Sequence, residues 1–245
     1  MILLGDIGNT ETKICLVKKN KIIKKILIPS KRKKISILNN HFKRFQFSKL
    51  EKILFCSVVP SIFKEFKNYF SKKTKIKCFE LKELHLQSLL NIEVNYKQVG
   101  SDRLANAISV SSKNKNFIIL DFGTATTFDV LIGANYKGGI ISPGINLSLN
   151  TLSNSAFLIP KINLNKMTKV IGKDTKSAVR SGFFWGYSGL IDNIINLIKK
   201  ETKKSFEVII TGGFSKLFKN SINTKVKQDF DITIKGLIKA SKLIK

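Results

Sequence analysis

Two short segments place carboxylates beside turns rich in hydrogen-bond donors. Asp6-Ile7-Gly8-Asn9-Thr10 sets an acid two residues before a glycine, with amide and hydroxyl side chains directly after it. A glycine in a tight turn lets main-chain N–H groups approach an anion, and Asn9 and Thr10 add donors, so the loop can cradle a phosphate. A carboxylate pointing to the same place suits a magnesium ion or its waters. Asp121-Phe122-Gly123-Thr124-Ala125-Thr126-Thr127-Phe128-Asp129 repeats the pattern with more hydroxyls and a second acid. Two such loops could clamp a polyphosphate, and clamping with positioning is most of what phosphoryl transfer asks of a protein. Taken singly, either loop reads equally well as an ordinary hairpin turn.

Three more segments carry chemistry or its support. In Gly100-Ser101-Asp102-Arg103 a carboxylate able to accept a hydroxyl proton precedes one of only four arginines. An acceptor carrying both an alcohol and an acid would use both side chains, while the plainer reading makes Asp102 the cap of a helix. Ile209-Ile210-Thr211-Gly212-Gly213 ends a strand in bare backbone on which a flat group could rest. Ala178, Gly182, Gly186 and Gly189 line one face of a helix, flanked by Phe183, Phe184, Trp185 and Tyr187. Each internal glycine costs roughly 1 kcal/mol relative to alanine. Close approach of another backbone is therefore expected there, in a core or a subunit interface.

Both acidic turns need strands on either side. Met1 to Leu4 and Ile14 to Val17 flank the first, Phe117 to Leu120 and Phe128 to Ile132 the second. Each pair is followed by a third extended segment, Lys21 to Ile28 and Gly139 to Ile141. Further strands are expected at Ile53 to Val59 and Glu207 to Ile210, with helices at Ser61 to Phe70, Asp102 to Ser112, Thr175 to Lys200 and Leu237 to Leu243. The layout is α/β and repeated, with halves at residues 1–114 and 115–245.

A formal charge of +28 on 245 residues raises nucleic acid as a partner. The excess is 40 Lys against 4 Arg (Arg32, Arg44, Arg103 and Arg180), in local runs such as Lys31 to Lys34. Base readout leans on the planar guanidinium, which is scarce here. With 34 Ile and 20 Asn, the composition fits a codon bias toward A and T. No specific nucleic acid is expected, and no apolar run approaches the ~20 residues that cross a bilayer, so no membrane partner either. Three scattered cysteines, Cys15, Cys56 and Cys78, argue against disulfides and zinc sites, and for a reducing cytoplasm.

With these residues laid out, the chain resembles type III pantothenate kinase, of the acetate and sugar kinase, chaperone and actin superfamily. The resemblance rests on Asp6 to Thr10 with Lys13, Ser57-Val58-Val59-Pro60, Gly100-x-Asp102-Arg103, Asp121 to Asp129, Gly138-Gly139-x-Ile141-x-Pro143-Gly144, Thr211-Gly212-Gly213 and Ile232-Thr233-Ile234-x-Gly236-Leu237. It implies two tandem ribonuclease H-like (actin-like ATPase) domains, each a mixed sheet flanked by helices. It also implies ATP-dependent phosphorylation of pantothenate to 4'-phosphopantothenate, the first step toward coenzyme A. By position, Asp102 is then the general base, and Asp6, Ile7, Gly8, Asn9, Thr10, Glu11, Thr12, Lys13 and Thr124 contact ATP. Tyr96, Gly100, Ser101, Asp102, Arg103 and Thr175 bind pantothenate, and Asp121 holds a monovalent cation, potassium or ammonium. Magnesium and a homodimer complete what the resemblance implies. The phosphate loops alone leave open another small-alcohol kinase or a non-catalytic regulatory relative; the Gly100 to Arg103 segment and the retained acids weigh against both.

Overall fold

Apolar runs alternate with helical segments along the chain, and the computed structural model resolves them into eleven strands and seven α-helices among the described residues, 1–30, 34–43 and 45–244. Arg32, Arg44 and the Lys31 to Lys33 part of the basic run lie outside the described residues. Two compact units emerge: residues 1–111, 134–136 and 231–245 form the first, and 112–133 with 137–230 the second.

The first unit contains β1 (Ile2–Ile7), β2 (Glu11–Lys18), β3 (Lys21–Pro29), α1 (Lys34–Phe42), β4 (Lys52–Ser57), α2 (Pro60–Ser71), β5 (Cys78–Glu80), β6 (Asn91–Ile92) and α3 (Ser101–Val110). The second contains β7 (Asn116–Phe122), β8 (Ala125–Ile132), β9 (Asn135–Pro143), α4 (Ile145–Ser155), α5 (Thr175–Thr202), β10 (Glu207–Gly212), α6 (Ser215–Phe218) and β11 (Val226–Gln228). The chain closes with α7 (Ile232–Ala240), which belongs to the first unit.

The sheet of the first unit runs β3-β2-β1-β4-β5, antiparallel through the opening meander and parallel from β1 to β4 to β5. That of the second runs β11-β10-β7-β8-β9, with β7–β8 antiparallel and β7–β10–β11 parallel. Read from the meander outward, both follow one order, 3-2-1-4-5, so the repeat expected from the two acidic turns extends to whole sheets. The start of β9, residues 134–136, belongs to the first unit, where Asn135 and Tyr136 pair in parallel with Asn91 and Ile92 of β6.

Alternation along the strands divides the apolar residues between two faces. In the first unit Leu3, Ile7, Ile14, Leu16 and Phe55 pack against Leu38 and Phe42 of α1 and Ile62, Phe66 and Phe70 of α2. Phe55 stacks on Phe66 at 5.7 Å. The alternate positions Leu4, Cys15, Leu54 and Cys56, all fully buried, lie on the opposite face, and α3 and α7 pack against β1 and β4. In the second unit Ile118, Leu120, Phe122, Phe128 and Val130 meet α4, α5 and α6 through Leu149, Phe184, Ile191 and Phe218. Each such buried side chain contributes roughly 1.5–3 kcal/mol.

Several expectations shift at this level. The strands run farther than their apolar cores, so Asp6 and Asp121 are strand residues and not turn residues. Helices α1 and α4 were not expected. In α4 the sequence Ile145-Asn146-Leu147-Ser148-Leu149 alternates with a strand-like period, although only Ile145 and Leu149, one turn apart, are buried. Helix α7 begins at Ile232, ahead of the expected Leu237, and residues 241–243 turn as a 3₁₀ helix. Its β-branched start and internal Gly236 make a poor helix in isolation. Packing on α3 overrides that, since a Cβ added at Gly236 would stand 1.8 Å from the Ala105 carbonyl oxygen. Of the two settings expected for the glycine face of α5, the core is excluded among the described residues, where no heavy atom outside the helix's own nearby backbone lies within 4 Å of a Cβ built at Gly182, Gly186 or Gly189.

The α3–α7 crossing generates a prediction. Gly236→Ala forces two backbones apart and should destabilise the first unit by about 1–3 kcal/mol. Thermal melting monitored by circular dichroism checks it; an unchanged melting temperature would show that the crossing tolerates a methyl group.

Candidate active site

Ladder register puts Asp6 at the C-terminal end of β1, opposite Lys13 on β2 and beside Cys56 on β4. The Cys56 thiol donates to Asp6 Oδ1 at 3.5 Å. The turn after Asp6 closes when Gly8 N–H donates to the Glu11 carbonyl at 3.0 Å. The end of β3 fastens it, through Ser30 Oγ to Gly8 O at 2.8 Å and Ser30 N to Thr10 O at 2.9 Å. Asn9, Thr10 and Glu11 are exposed at the tip, while Ile7 and Thr12 are buried beneath it. The loop expected to hold phosphate is thus an anchored hairpin whose donors face solvent.

Helix α3 supplies the next carboxylate. Gly100 caps it in extended conformation, and Asp102 sits in the first turn, its Oδ1 accepting from Arg103 N–H at 2.8 Å. A Cβ at Gly100 would lie 2.4 Å from that oxygen, so a side chain there would displace the carboxylate. Burial pushes the Asp102 carboxyl above the usual aspartate range, against the Arg103 N–H and guanidinium, which hold it down. Burial first, and then the charges of Asp6, Asp102 and Glu80, push the Cys56 thiol well above its ordinary value. The thiol therefore stays protonated among three carboxyl groups and donates to one of them. Tyr96, expected on the substrate side, donates its hydroxyl to the Lys82 carbonyl at 3.1 Å, with the Lys82 ammonium 5.2 Å from its ring centre.

In the second unit, Asp121 ends β7 opposite Thr127, and Gly123 N–H donates to Ala125 O at 3.0 Å, a turn one residue shorter than its counterpart. Thr124 is exposed at its tip. Two glycine segments crowd this loop. A Cβ at Gly144, at the start of α4, would meet the Thr124 and Gly123 carbonyl oxygens at 2.2 and 2.7 Å. Gly212 adopts φ +83°, and a Cβ there would meet Phe122 O at 2.5 Å and Asp121 Oδ1 at 2.7 Å. Gly213 donates its N–H to Phe122 O, and its own Cβ direction is open. The acidic loop, the Pro143-Gly144 turn and the Thr211-Gly212-Gly213 turn, far apart in sequence, converge on one place. Thr175, expected on the substrate side, is exposed as the first residue of α5, after the Asp174 cap.

Thr12 and Thr126 follow the two turns at matching register positions, opposite Ile7 and Phe122. Both are fully buried, and neither hydroxyl oxygen has a hydrogen-bond partner among the described residues. Asp129, two residues beyond Thr127 on the same face of β8, is also fully buried. Ser57 was noted only as part of a motif, and Glu80 and Lys82 around α3 were not foreseen. Their only sequence signal is an acid at the end of the short Cys78-Phe79 apolar step, too weak to single out.

Two mixed sheets of one order, each carrying an acidic hairpin and flanked by helices, define an actin-like ATPase fold. Solved structures agree. A chain from Campylobacter jejuni described as a Baf family transcriptional activator matches with a TM-score of 0.65 at 20% identity, over 98% of this chain and 97% of its own. A 2-dehydro-3-deoxygalactonokinase from Sinorhizobium meliloti matches at 0.61 with 9% identity, over 100% and 99%. The family model for type III pantothenate kinase matches residues 2–197. A type III pantothenate kinase of Pelagibacter ubique is 63% identical over the full length of both chains, and one of Ehrlichia canis is 35% identical over 97% and 94%. The chain belongs to the type III pantothenate kinase family, kinases that phosphorylate pantothenate in coenzyme A biosynthesis.

The raised Asp102 carboxyl carries a stability consequence. A carboxyl raised on folding favours its neutral form in the native state, so its charge opposes folding above that titration and ceases to do so as pH falls through it. Asp102→Asn keeps an acceptor for Arg103 N–H without the charge. It should raise the melting temperature at pH 7, with the gain shrinking as pH is lowered; a lower melting temperature at pH 7 would contradict the burial reading.

Proposed function

We propose that Asp102 is the general base that takes the proton of the pantothenate hydroxyl, with Arg103 receiving the pantothenate carboxylate and Tyr96, Gly100, Ser101 and Thr175 completing the acceptor site. The observation that supports this most directly is the Asp102 carboxyl itself, pushed up by burial at the start of α3 beside Arg103. A carboxyl raised in this way accepts a proton more readily than an ordinary aspartate. It remains a far weaker base than an alkoxide, but a loose transition state needs little proton transfer until late, so alignment of the hydroxyl is most of its task.

The residues from Asp6 to Lys13, with Thr124, serve as the phosphate contacts, one loop in each unit. Among the described residues no group of three or more His, Cys, Asp or Glu could hold a metal ion alone. Magnesium in this reading is carried largely by the nucleotide phosphates and water, with Asp6 near it. The Asp121 carboxylate faces the Gly212 turn, and a carboxylate oxygen suits a hard cation, so Asp121 is assigned the monovalent ion, potassium or ammonium. The exposed Gly182, Gly186 and Gly189 face of α5 is open for a second copy of the chain, consistent with a homodimer. Among the described residues no helix is long and apolar enough to cross a membrane. Cys15, Cys56 and Cys78 are free and buried, which supports a cytoplasmic enzyme.

Asp102→Asn should lower kcat by roughly 10²–10⁴-fold, measured in a coupled ADP-release assay with pantothenate; near wild-type turnover would remove Asp102 from the role of base. In sodium-only buffer turnover should fall and recover on adding potassium or ammonium, and Asp121→Asn should abolish that response. Equal rates in sodium and potassium would count against the cation assigned to Asp121.

A further inference from the structure

Glu80 closes β5 and belongs to none of the motifs that carry the family. Its two oxygens take separate main-chain donors: Oε1 accepts from Ser57 N at 3.2 Å and Oε2 from Lys82 N at 2.6 Å. The Ser57 N–H that reaches Glu80 is shared with the Ser101 hydroxyl. Ser101 Oγ accepts from Ser57 N at 2.7 Å and lies 2.9 Å from the Ser57 carbonyl, to which it can donate. One half-buried acid therefore joins the end of β4 to the turn after β5, and through the shared Ser57 N–H it meets the first residue of α3. The second residue of α3 is Asp102.

Lys82 extends the connection. Its main chain is held at both ends of the residue, the N–H by Glu80 and the carbonyl by Tyr96, while its ammonium donates to the Lys97 carbonyl at 3.3 Å. The segment bearing Tyr96 is thereby tied to the same carboxyl. Burying an acid is costly unless its oxygens are satisfied, and burial is the largest influence pushing the Glu80 carboxyl up, opposed by these hydrogen bonds. Nothing in the strand pairing of β5 requires an acid at its end.

We propose that Glu80 is a positioning residue for the transfer, fixing the start of α3 to the end of β4 so that the Asp102 carboxylate is held in place, and fixing Lys82 so that Tyr96 is held beside it. The inference rests on the reading of Asp102 as the base. The charged and titratable groups around Asp102 are Arg103 on its own helix, Lys82 after β5 and, gathered about the Cys56 thiol, Asp6 and Glu80.

Glu80→Gln occupies the same space but turns an amide N–H toward one of two main-chain donors. A misplacement of about 1 Å costs on the order of 100-fold in rate, so kcat should fall by ~10- to 100-fold with the KM for ATP unchanged. Loosening α3 hydrates Asp102, and removing a neighbouring acid favours its ionised form. Both effects move the acid limb of kcat/KM to lower pH, whereas a partly misfolded preparation lowers the amplitude without moving the limb. Ser101→Ala should move the limb in the same direction, and it serves where the Gln variant folds poorly. The double variant should be no worse than the worse single one, because both act through one unit. Wild-type turnover in Glu80→Gln, an unmoved acid limb in both variants, or effects that multiply in the double variant would each overturn the proposal. Asp102→Asn, assayed alongside, separates the two readings: full activity there overturns the base and this inference with it. An inactive Asp102→Asn beside a fully active Glu80→Gln overturns the role of Glu80 alone.

Discussion

Carboxyl groups held near one another and out of water are the constraint on which the first unit turns. Asp6, Glu80 and Asp102 come from three different elements and share the neighbourhood of one buried thiol, Cys56. Desolvation and like charge both oppose that arrangement. What offsets them is a set of hydrogen bonds from fixed donors: Arg103 N–H to Asp102, Ser57 and Lys82 N–H to Glu80, and the Cys56 thiol to Asp6. All the main-chain donors lie at the ends of strands or the start of a helix, where N–H groups have no partner within their own element. The site can therefore exist only at the C-terminal edge of the parallel strands, and the order β1-β4-β5 is what places that edge under α3.

The repeated sheet order explains how a chain of this length supplies two acidic hairpins. Each unit presents Asp-x-Gly at the end of its first strand, and each backs the turn with a fully buried threonine, Thr12 or Thr126. The copies have since been fitted to different neighbours. The first loop is longer and is tied down by Ser30, the residue after β3. The second is short and is walled by the backbones of Gly144 and Gly212. Only the first unit adds α3 with Asp102, while the acidic hairpin is common to both.

Much of this was legible in the sequence, for a physical reason: glycine turns, β-branched strands and a capped helix start are local decisions. The hairpins at Asp6 and Asp121, the strand before Thr211, and α2, α3 and α5 could be placed from neighbours in the chain. What escaped was decided at a distance. Alternating apolar residues disguised α4 as a strand, and only the packing of Ile145 and Leu149 selects the helix. Helix α7 starts on residues that disfavour helices, because Gly236 lets its backbone touch Ala105. Glu80 was invisible for the same reason. An acid ending a three-residue strand has no local signature, and its meaning lies in Ser57 and Ser101, which the fold brings to it.

The formal charge of +28 acquires a different sense beside this site. Of eight aspartates in the chain, Asp6, Asp102, Asp121 and Asp129 occupy the two acidic hairpins and the start of α3. Lysine elsewhere is mostly solvated, and exposed pairs such as Lys115 and Lys227 with Glu207 contribute little to stability. A basic surface around acidic, buried machinery does two things at once. It attracts anions over distances set by the screening length, about 8 Å at physiological salt, and it leaves the half-buried acids to be held by local hydrogen bonds. Surface charge of this kind can drift with codon usage at little cost, because the acids at the strand ends are set by hydrogen bonds within the fold and not by the field around it.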